Sequence, residues 1–226
     1  MSVLDKIKGG LIVSCQALKS EPLYSSEIMA RMAYAAEKGG AVGIRANTPE
    51  DIVAIKKEVN LPVIGLYKVD YDNSEIYITP TMKEIDAIMA SSPEIVALDA
   101  TNRKRPDGST IETFFPEVRK KYPDMIFMAD CASYEDGIRA QELGFDVVGT
   151  TLCGYTPDTR DMDIPCFEMI EKLAENLTIP LIAEGGIWET KQLQQVFECG
   201  AYAAVIGTAI TRPREITKRF VAAITK

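Results

Sequence analysis

Short runs of apolar residues recur along the chain, separated by stretches whose apolar residues fall at helical spacing. The runs cover residues 11–16, 41–45, 63–68, 95–99, 125–130, 147–151, 181–185 and 203–207, mostly about 20–35 residues apart. Continuous apolar runs of this length read as strands buried on both faces, the mark of a parallel sheet. Helices fit the gaps. Thr48-Pro49-Glu50-Asp51 offers an N-cap, a proline at the first helical position and an acid at the third. Thr81-Met82-Lys83-Glu84 and Ser133-Tyr134-Glu135-Asp136 repeat the capping pattern, and Ile85, Ile88 and Met89 follow at helical spacing. Gly39-Gly40, Gly144 and Gly200 stand where a helix would stop before the next strand.

Eight strands alternating with eight helices is the count of an α/β (β/α)8 TIM barrel at its compact end. A doubly wound open sheet is the structural rival. It opens on a glycine-rich turn, whereas the first turn here is Ser14-Cys15-Gln16-Ala17, and neither GxGxxG nor GxxxxGK[ST] occurs. No linker or shift in composition marks a second domain, so residues 1–226 read as one barrel. Two connections stand out, and both follow strand ends. Residues 69–80 form a long one, and residues 101–108 carry the basic run Arg103-Lys104-Arg105.

Composition narrows the chemistry. Acids outnumber bases 33 to 25, a formal charge of −8, which removes the electrostatic footprint of a nucleic-acid binder. No apolar run approaches the roughly 18 residues of a membrane span, and the first residues lack a signal-peptide pattern. Cys15, Cys131, Cys153, Cys166 and Cys199 are odd in number and widely spaced, which fits reduced thiols in a cytoplasm. The chain has no histidine. Acid–base chemistry must therefore use Lys, Glu, Asp, Tyr, Cys or a group on the substrate, and histidine-ligated metals are excluded.

In a barrel the chemistry stands at the carboxyl ends of the strands. There the runs place Gln16, Arg45, Lys68, Asp99, Asp130, Thr151, Glu184 and Gly207. Each alone reads most simply as an ion pair or a solvated loop start, but seven polar or charged ends converging on one mouth read as a site. Lys68, desolvated and near Arg45, suits a base or a Schiff-base nucleophile. Glu184 belongs to the seventh strand, across the barrel, so an amine and a carboxyl could move protons on two faces of one carbon. The phosphate signal lies in Glu184-Gly185-Gly186 and in the segment from Gly207 and Thr208 to Arg212, because glycines let backbone amides approach an anion and Arg212 adds a fork. Cys131 and Cys153 follow neighbouring strands; a two-thiol exchange is the weaker reading, since buried cysteine usually behaves as a small hydrophobe. Arg103, Lys104 and Arg105 could steer an anionic substrate into an otherwise acidic protein.

These residues resemble the bacterial N-acetylmannosamine-6-phosphate 2-epimerase family over essentially the whole chain. The resemblance is carried by residues 11–18 with Glu21-Pro22-Leu23, by Ile44-Arg45-Ala46, by residues 64–68 and 77–81, and by residues 97–101. It continues through residues 150–156, Ala183-Glu184-Gly185 and residues 207–213. It implies a (β/α)8 barrel that interconverts N-acetylmannosamine 6-phosphate and N-acetylglucosamine 6-phosphate in sialic acid breakdown. It puts the catalytic lysine on Lys68 and the catalytic glutamate on Glu184. Substrate contacts fall on Gln16, Arg45 and Asp130, with Gly186, Gly207 and Arg212 on the phosphate. It further implies a homodimer and no metal or redox cofactor. Rival readings are a Schiff-base aldolase with the same fold and a non-catalytic sugar-phosphate sensor; ribulose-phosphate-type epimerases hold a metal with histidines, which this chain lacks.

Overall fold

A computed structural model describes residues 2–225. The strands are β1 (Leu11–Cys15), β2 (Gly43–Asn47), β3 (Val63–Leu66), β4 (Ile95–Asp99), β5 (Ile126–Asp130), β6 (Val147–Gly149), β7 (Leu181–Glu184) and β8 (Ala203–Ile206). All neighbouring pairs are parallel, and β1 pairs with both β2 and β8, so the sheet closes into an eight-stranded barrel. Closure removes the exposed strand edges that an open sheet would leave. The open-sheet rival is thereby set aside.

Among the described residues there are ten helices, not eight. They are α1 (Val3–Ile7), α2 (Ser26–Lys38), α3 (Pro49–Glu58), α4 (Met82–Ala90), α5 (Ile111–Lys121), α6 (Tyr134–Glu142), α7 (Phe167–Asn176), α8 (Thr190–Glu198), α9 (Thr208–Thr211) and α10 (Pro213–Ala222). Helix α1 precedes the first strand. The last helix is split because Pro213 cannot continue α9 and instead opens α10 at its first position. The expected caps form: Thr48, Thr81 and Ser133 each accept a backbone N–H from the first turn of α3, α4 and α6. No helix among the described residues is long and apolar enough to cross a membrane.

The continuous apolar runs fill two layers because alternate strand residues face opposite ways. Ile12, Ile64, Ile95, Met128, Val147, Ile182 and Val205 pack inside the barrel, and Ile7 of α1 joins them. Val13, Ile44, Val63, Val96, Phe127, Val148 and Leu181 face the surrounding helices.

The two unusual connections are folded. Residues 69–80 form a hairpin: Val69 N–H donates to Tyr77 O at 3.0 Å and Thr79 N–H to Tyr67 O at 2.8 Å. The second connection braces it, with Asn73 and Ser74 donating to the carbonyls of Pro106 and Lys104 at 2.8 Å each. Arg103 pairs with Asp99 at 2.6 Å. Arg105 is fully buried, donates to the carbonyls of Pro80 and Asp99, and lies 4.1 Å over the Phe114 ring. The expectation that this run steers substrate finds no support in these contacts. Arg103 and Arg105 are consumed in holding two loops together, and none of the three basic residues lines the central cavity.

Candidate active site

A cavity of about 320 Å³ opens at the carboxyl ends of the strands. Gln16, Arg45, Lys68, Glu184, Gly186, Gly207, Thr208 and Arg212 all line it, so eight of the nine residues expected above to be catalytic or substrate-binding converge. Asp130 is the ninth. It is fully buried beneath the cavity and reaches it through Arg45 and Thr151. Arg45 departs from its expected place at a strand end. It lies inside β2, opposite Ser14 and Ile64, because the strand starts at Gly43 and runs on to Asn47. Its guanidinium therefore rises from within the barrel rather than from a loop.

Arg45 organises the floor. Its side chain is 1% exposed, with Nη2 at 2.5 Å from Asp130 and Nη1 at 3.4 Å from Glu184. Burial would weaken the charged guanidinium, but the two carboxylates outweigh it and Arg45 stays firmly protonated. Its Nε finds no partner among the described residues. A buried donor left open at a cavity floor is costly unless something completes it.

Lys68 and Glu184 stand on opposite walls, since β3 and β7 are separated by half the ring of eight. The backbone N–H of Lys68 is fixed by the Asn47 side chain at 2.8 Å. Among the described residues its ammonium has no hydrogen bond or ion pair. Burial, aided by Arg45, pulls its pKa down to about 8. Glu184 moves the other way: burial raises its carboxyl above the ordinary value, with Arg45 opposing. The environment thus pushes an amine toward its neutral form and a carboxyl toward its acid form, which is how acid and base roles are separated at one site. Tyr77, brought in by the hairpin, lines the same wall; burial and Asp130 push its phenol up to about 12.

The far end of the cavity is built from backbone. Gly186 has φ +70°, and a Cβ there would lie 2.6 Å from the Ile164 carbonyl carbon, so only glycine fits. Whatever grip this residue supplies is its amide. The amides of Gly186, Gly207 and Thr208 donate to none of the turn and cap hydrogen bonds around them. Arg212 lies beside them with Nε 2.9 Å and Nη2 2.5 Å from one oxygen of Glu21, leaving Nη1 for an anion. Glu21 takes the Leu18 N–H on its other oxygen at 2.9 Å. Burial opposes its charge, but that amide and Arg212 hold its carboxyl below the ordinary value.

Cys131 and Cys153 do not line the cavity; both belong to the outer core. Burial raises the Cys131 thiol well above its usual range and pushes Cys153 up to about 12. A thiolate exchange is poorly served by such groups. Glu21, Tyr77 and Trp188, to which no role was assigned from the sequence, also line the cavity, as does Thr151. Thr151, two residues beyond β6, was visible as a strand-end hydroxyl. Glu21 entered only as part of the resemblance, and its role as partner of Arg212 was not legible because the two are 191 positions apart.

Fold and site define a (β/α)8-barrel enzyme. The family model described as "Putative N-acetylmannosamine-6-phosphate epimerase" matches residues 29–226, and the chain belongs to that family. It is 54% identical over 98% of its length to a protein of Caldanaerobacter subterraneus subsp. tengcongensis, 93% of which is covered. It is 51% identical over its full length to one of Listeria monocytogenes, 96% of which is covered. Both carry the description "Putative N-acetylmannosamine-6-phosphate 2-epimerase". The solved N-acetylmannosamine-6-phosphate 2-epimerase of Clostridium perfringens superposes with a TM-score of 0.94 at 49% identity, covering 99% of this chain and 97% of that one. The thiamine phosphate pyrophosphorylase of Pyrococcus furiosus, at 18% identity and TM-score 0.62, shares the fold alone.

Proposed function

We propose that the protein interconverts N-acetylmannosamine 6-phosphate and N-acetylglucosamine 6-phosphate, in the breakdown of sialic acid, by removing and returning the proton on carbon 2. The observation that carries this is the opposition of Lys68 and Glu184 across the mouth, one tuned toward free amine and the other toward carboxylic acid. Family membership supplies the substrate. In the open-chain sugar, carbon 2 carries its hydrogen beside the carbon-1 aldehyde. Lys68 takes that proton from one face and an enolate forms. Arg45, with its open Nε, and Gln16 donate to the developing oxyanion, while Asp130 holds the guanidinium in place. Glu184 returns a proton on the opposite face, and the centre is inverted. The reverse reaction exchanges the two roles.

The 6-phosphate sits at the far end, on the amides of Gly186, Gly207 and Thr208 and the guanidinium of Arg212. Held there, it orients carbon 2 without touching the reaction. The reading calls for no metal or redox cofactor, takes residues 1–226 as one domain, and makes the protein a cytoplasmic homodimer. Incubation with N-acetylmannosamine 6-phosphate in D2O, followed by NMR at carbon 2, tests the chemistry. Solvent deuterium should enter carbon 2 in step with epimerisation and should be indifferent to a chelator. Product that retains all its original hydrogen, or activity lost with the chelator, overturns it. Trapping of substrate on Lys68 by borohydride would favour the aldolase chemistry instead.

A further inference from the structure

The Thr151 hydroxyl lies between two carboxyl groups. Its Oγ1 is 2.7 Å from Asp130 Oδ1 and 3.1 Å from Glu184 Oε2. A hydroxyl has one proton to donate and lone pairs to accept with. It cannot satisfy two carboxylates at once. Asp130 is ion-paired to Arg45 and has the shorter contact, so it takes the Thr151 proton. The contact to Glu184 is then favourable only when Glu184 carries a proton on Oε2 and donates it to Thr151. This is the only side-chain hydrogen bond that Glu184 makes among the described residues.

The surroundings are built to hold this arrangement. Thr150 pins the Glu184 backbone on both sides, donating to its carbonyl at 2.9 Å and accepting from its N–H at 3.0 Å. Gly149 lies beneath the pair, and a Cβ there would stand 3.2 Å from Thr151 Oγ1 and 2.3 Å from the end of Met128. The charged and titratable groups that face Glu184 are Arg45 on β2, Lys68 after β3, Asp130 on β5 and Tyr155 in the loop after β6. Arg45 sits at 3.4 Å from Oε2 as a charge, without a hydrogen bond. When Glu184 ionises, Thr151 is the one neutral side-chain donor among the described residues already in contact with it.

We propose that Thr151 is a positioning residue for proton transfer at Glu184, a hydroxyl rotor that donates to Asp130 while Glu184 is an acid and swings to Glu184 once it is a carboxylate. This rests on the reading of Glu184 as the proton-carrying group of the epimerisation. In the step itself the Glu184 O–H breaks and a C–H bond forms at carbon 2. The electron pair stays on the carboxylate, and the Thr151 O–H turns from Asp130 Oδ1 to Glu184 Oε2 without leaving its oxygen. Asp130 remains a carboxylate on Arg45. In the reverse direction Glu184 takes the proton and the rotor turns back. The switch needs no added reactant and makes no net change of charge at Thr151.

Thr151→Val keeps the shape and removes the rotor, and Thr151→Ser keeps the rotor. The expected results for Val are a fall in kcat of tenfold or more, KM within threefold of the parent, and a shift of the Glu184 limb of the pH–rate profile downward by at least half a pH unit. The downward sign follows because the acid form loses both its acceptor and the Thr151–Asp130 bond, whereas the carboxylate loses one donor. Serine should restore both kcat and profile, and Thr151→Ala should repeat the Val result if Val proves unfolded. Parent-like kcat and profile in both Val and Ala overturn the proposal, and so does a Ser variant as impaired as Val. Glu184→Gln separates the two readings. If it keeps the parent rate, the role of Glu184 falls and the rotor with it; if it is inactive while Thr151→Val is normal, the rotor alone falls.

Discussion

Lys68 stands in a ring of opposing charges, with Arg45 and Arg212 disfavouring its proton and Glu184 and Asp130 favouring it. Replacing it by methionine keeps the bulk and removes the base. Lys68→Met should lose about 10²–10⁴-fold in kcat, the span of a general base, because no histidine can substitute. More than about a tenth of the parent rate in a folded variant would remove lysine from the chemistry. The rate of the parent should climb as pH rises toward about 8, where the amine becomes free. Arg212 differs in kind. It lies at the remote end of the cavity, so its contribution is shared by bound substrate and transition state. Arg212→Ala should therefore raise KM by roughly 10- to 150-fold, the equivalent of about 1.5–3 kcal/mol for a charge-assisted hydrogen bond, with kcat little changed. A collapsed kcat at constant KM would contradict the assignment.

Strands and caps were legible in the sequence because their signals are periodic or local. An apolar run marks β3 as clearly as Thr81 and Glu84 mark the start of α4. The hairpin over residues 69–80 was legible only as a long connection. It is held by few backbone bonds and by Thr79 at φ +47°, a conformation that a β-branched residue adopts only under tertiary constraint. The basic run was legible as charge but not as structure, since Arg105 binds the backbone carbonyls of that hairpin and of β4 and Arg103 binds the Asp99 carboxylate. These elements predict different outcomes for adjacent cations. Arg105→Leu leaves the carbonyls of Pro80 and Asp99 buried without their donor and should cost at least about 1–3 kcal/mol in urea unfolding. Lys104→Ala, on an exposed side chain, should stay within about 0.5 kcal/mol and leave KM unchanged. A raised KM for Lys104→Ala would restore the steering role. Gly186→Ala presses on the Ile164 backbone and should cost about 1–3 kcal/mol while also raising KM.

Across the whole molecule, topology and site location followed from counting. Eight runs gave the barrel, and the polar residues ending them gave the mouth. The wiring within the mouth did not follow, because pairs such as Glu21–Arg212, Arg45–Asp130 and Thr151–Glu184 join residues far apart in the sequence that share no local pattern. That wiring has a consequence for folding. An ionised lysine held in a desolvated mouth opposes the folded state, and its pKa of about 8 against 10.5 for an ordinary lysine states the sign. Below about pH 8 both folded and unfolded chains carry the proton, and the full penalty is present. Between about 8 and 10.5 the unfolded chain binds the proton and the folded chain does not, so stability gained from this group rises with pH. Lys68→Met removes the penalty. It should unfold at a higher temperature than the parent at pH 7, and the gap should narrow steadily as pH is raised from 8 toward 10.5. Comparing the two proteins at each pH cancels the titration of every other group. A variant that is less stable than the parent at pH 7, or a gap that widens with pH, would show that Lys68 is held in the mouth as a structural partner of Glu184 and Asp130 rather than against the preference of the fold.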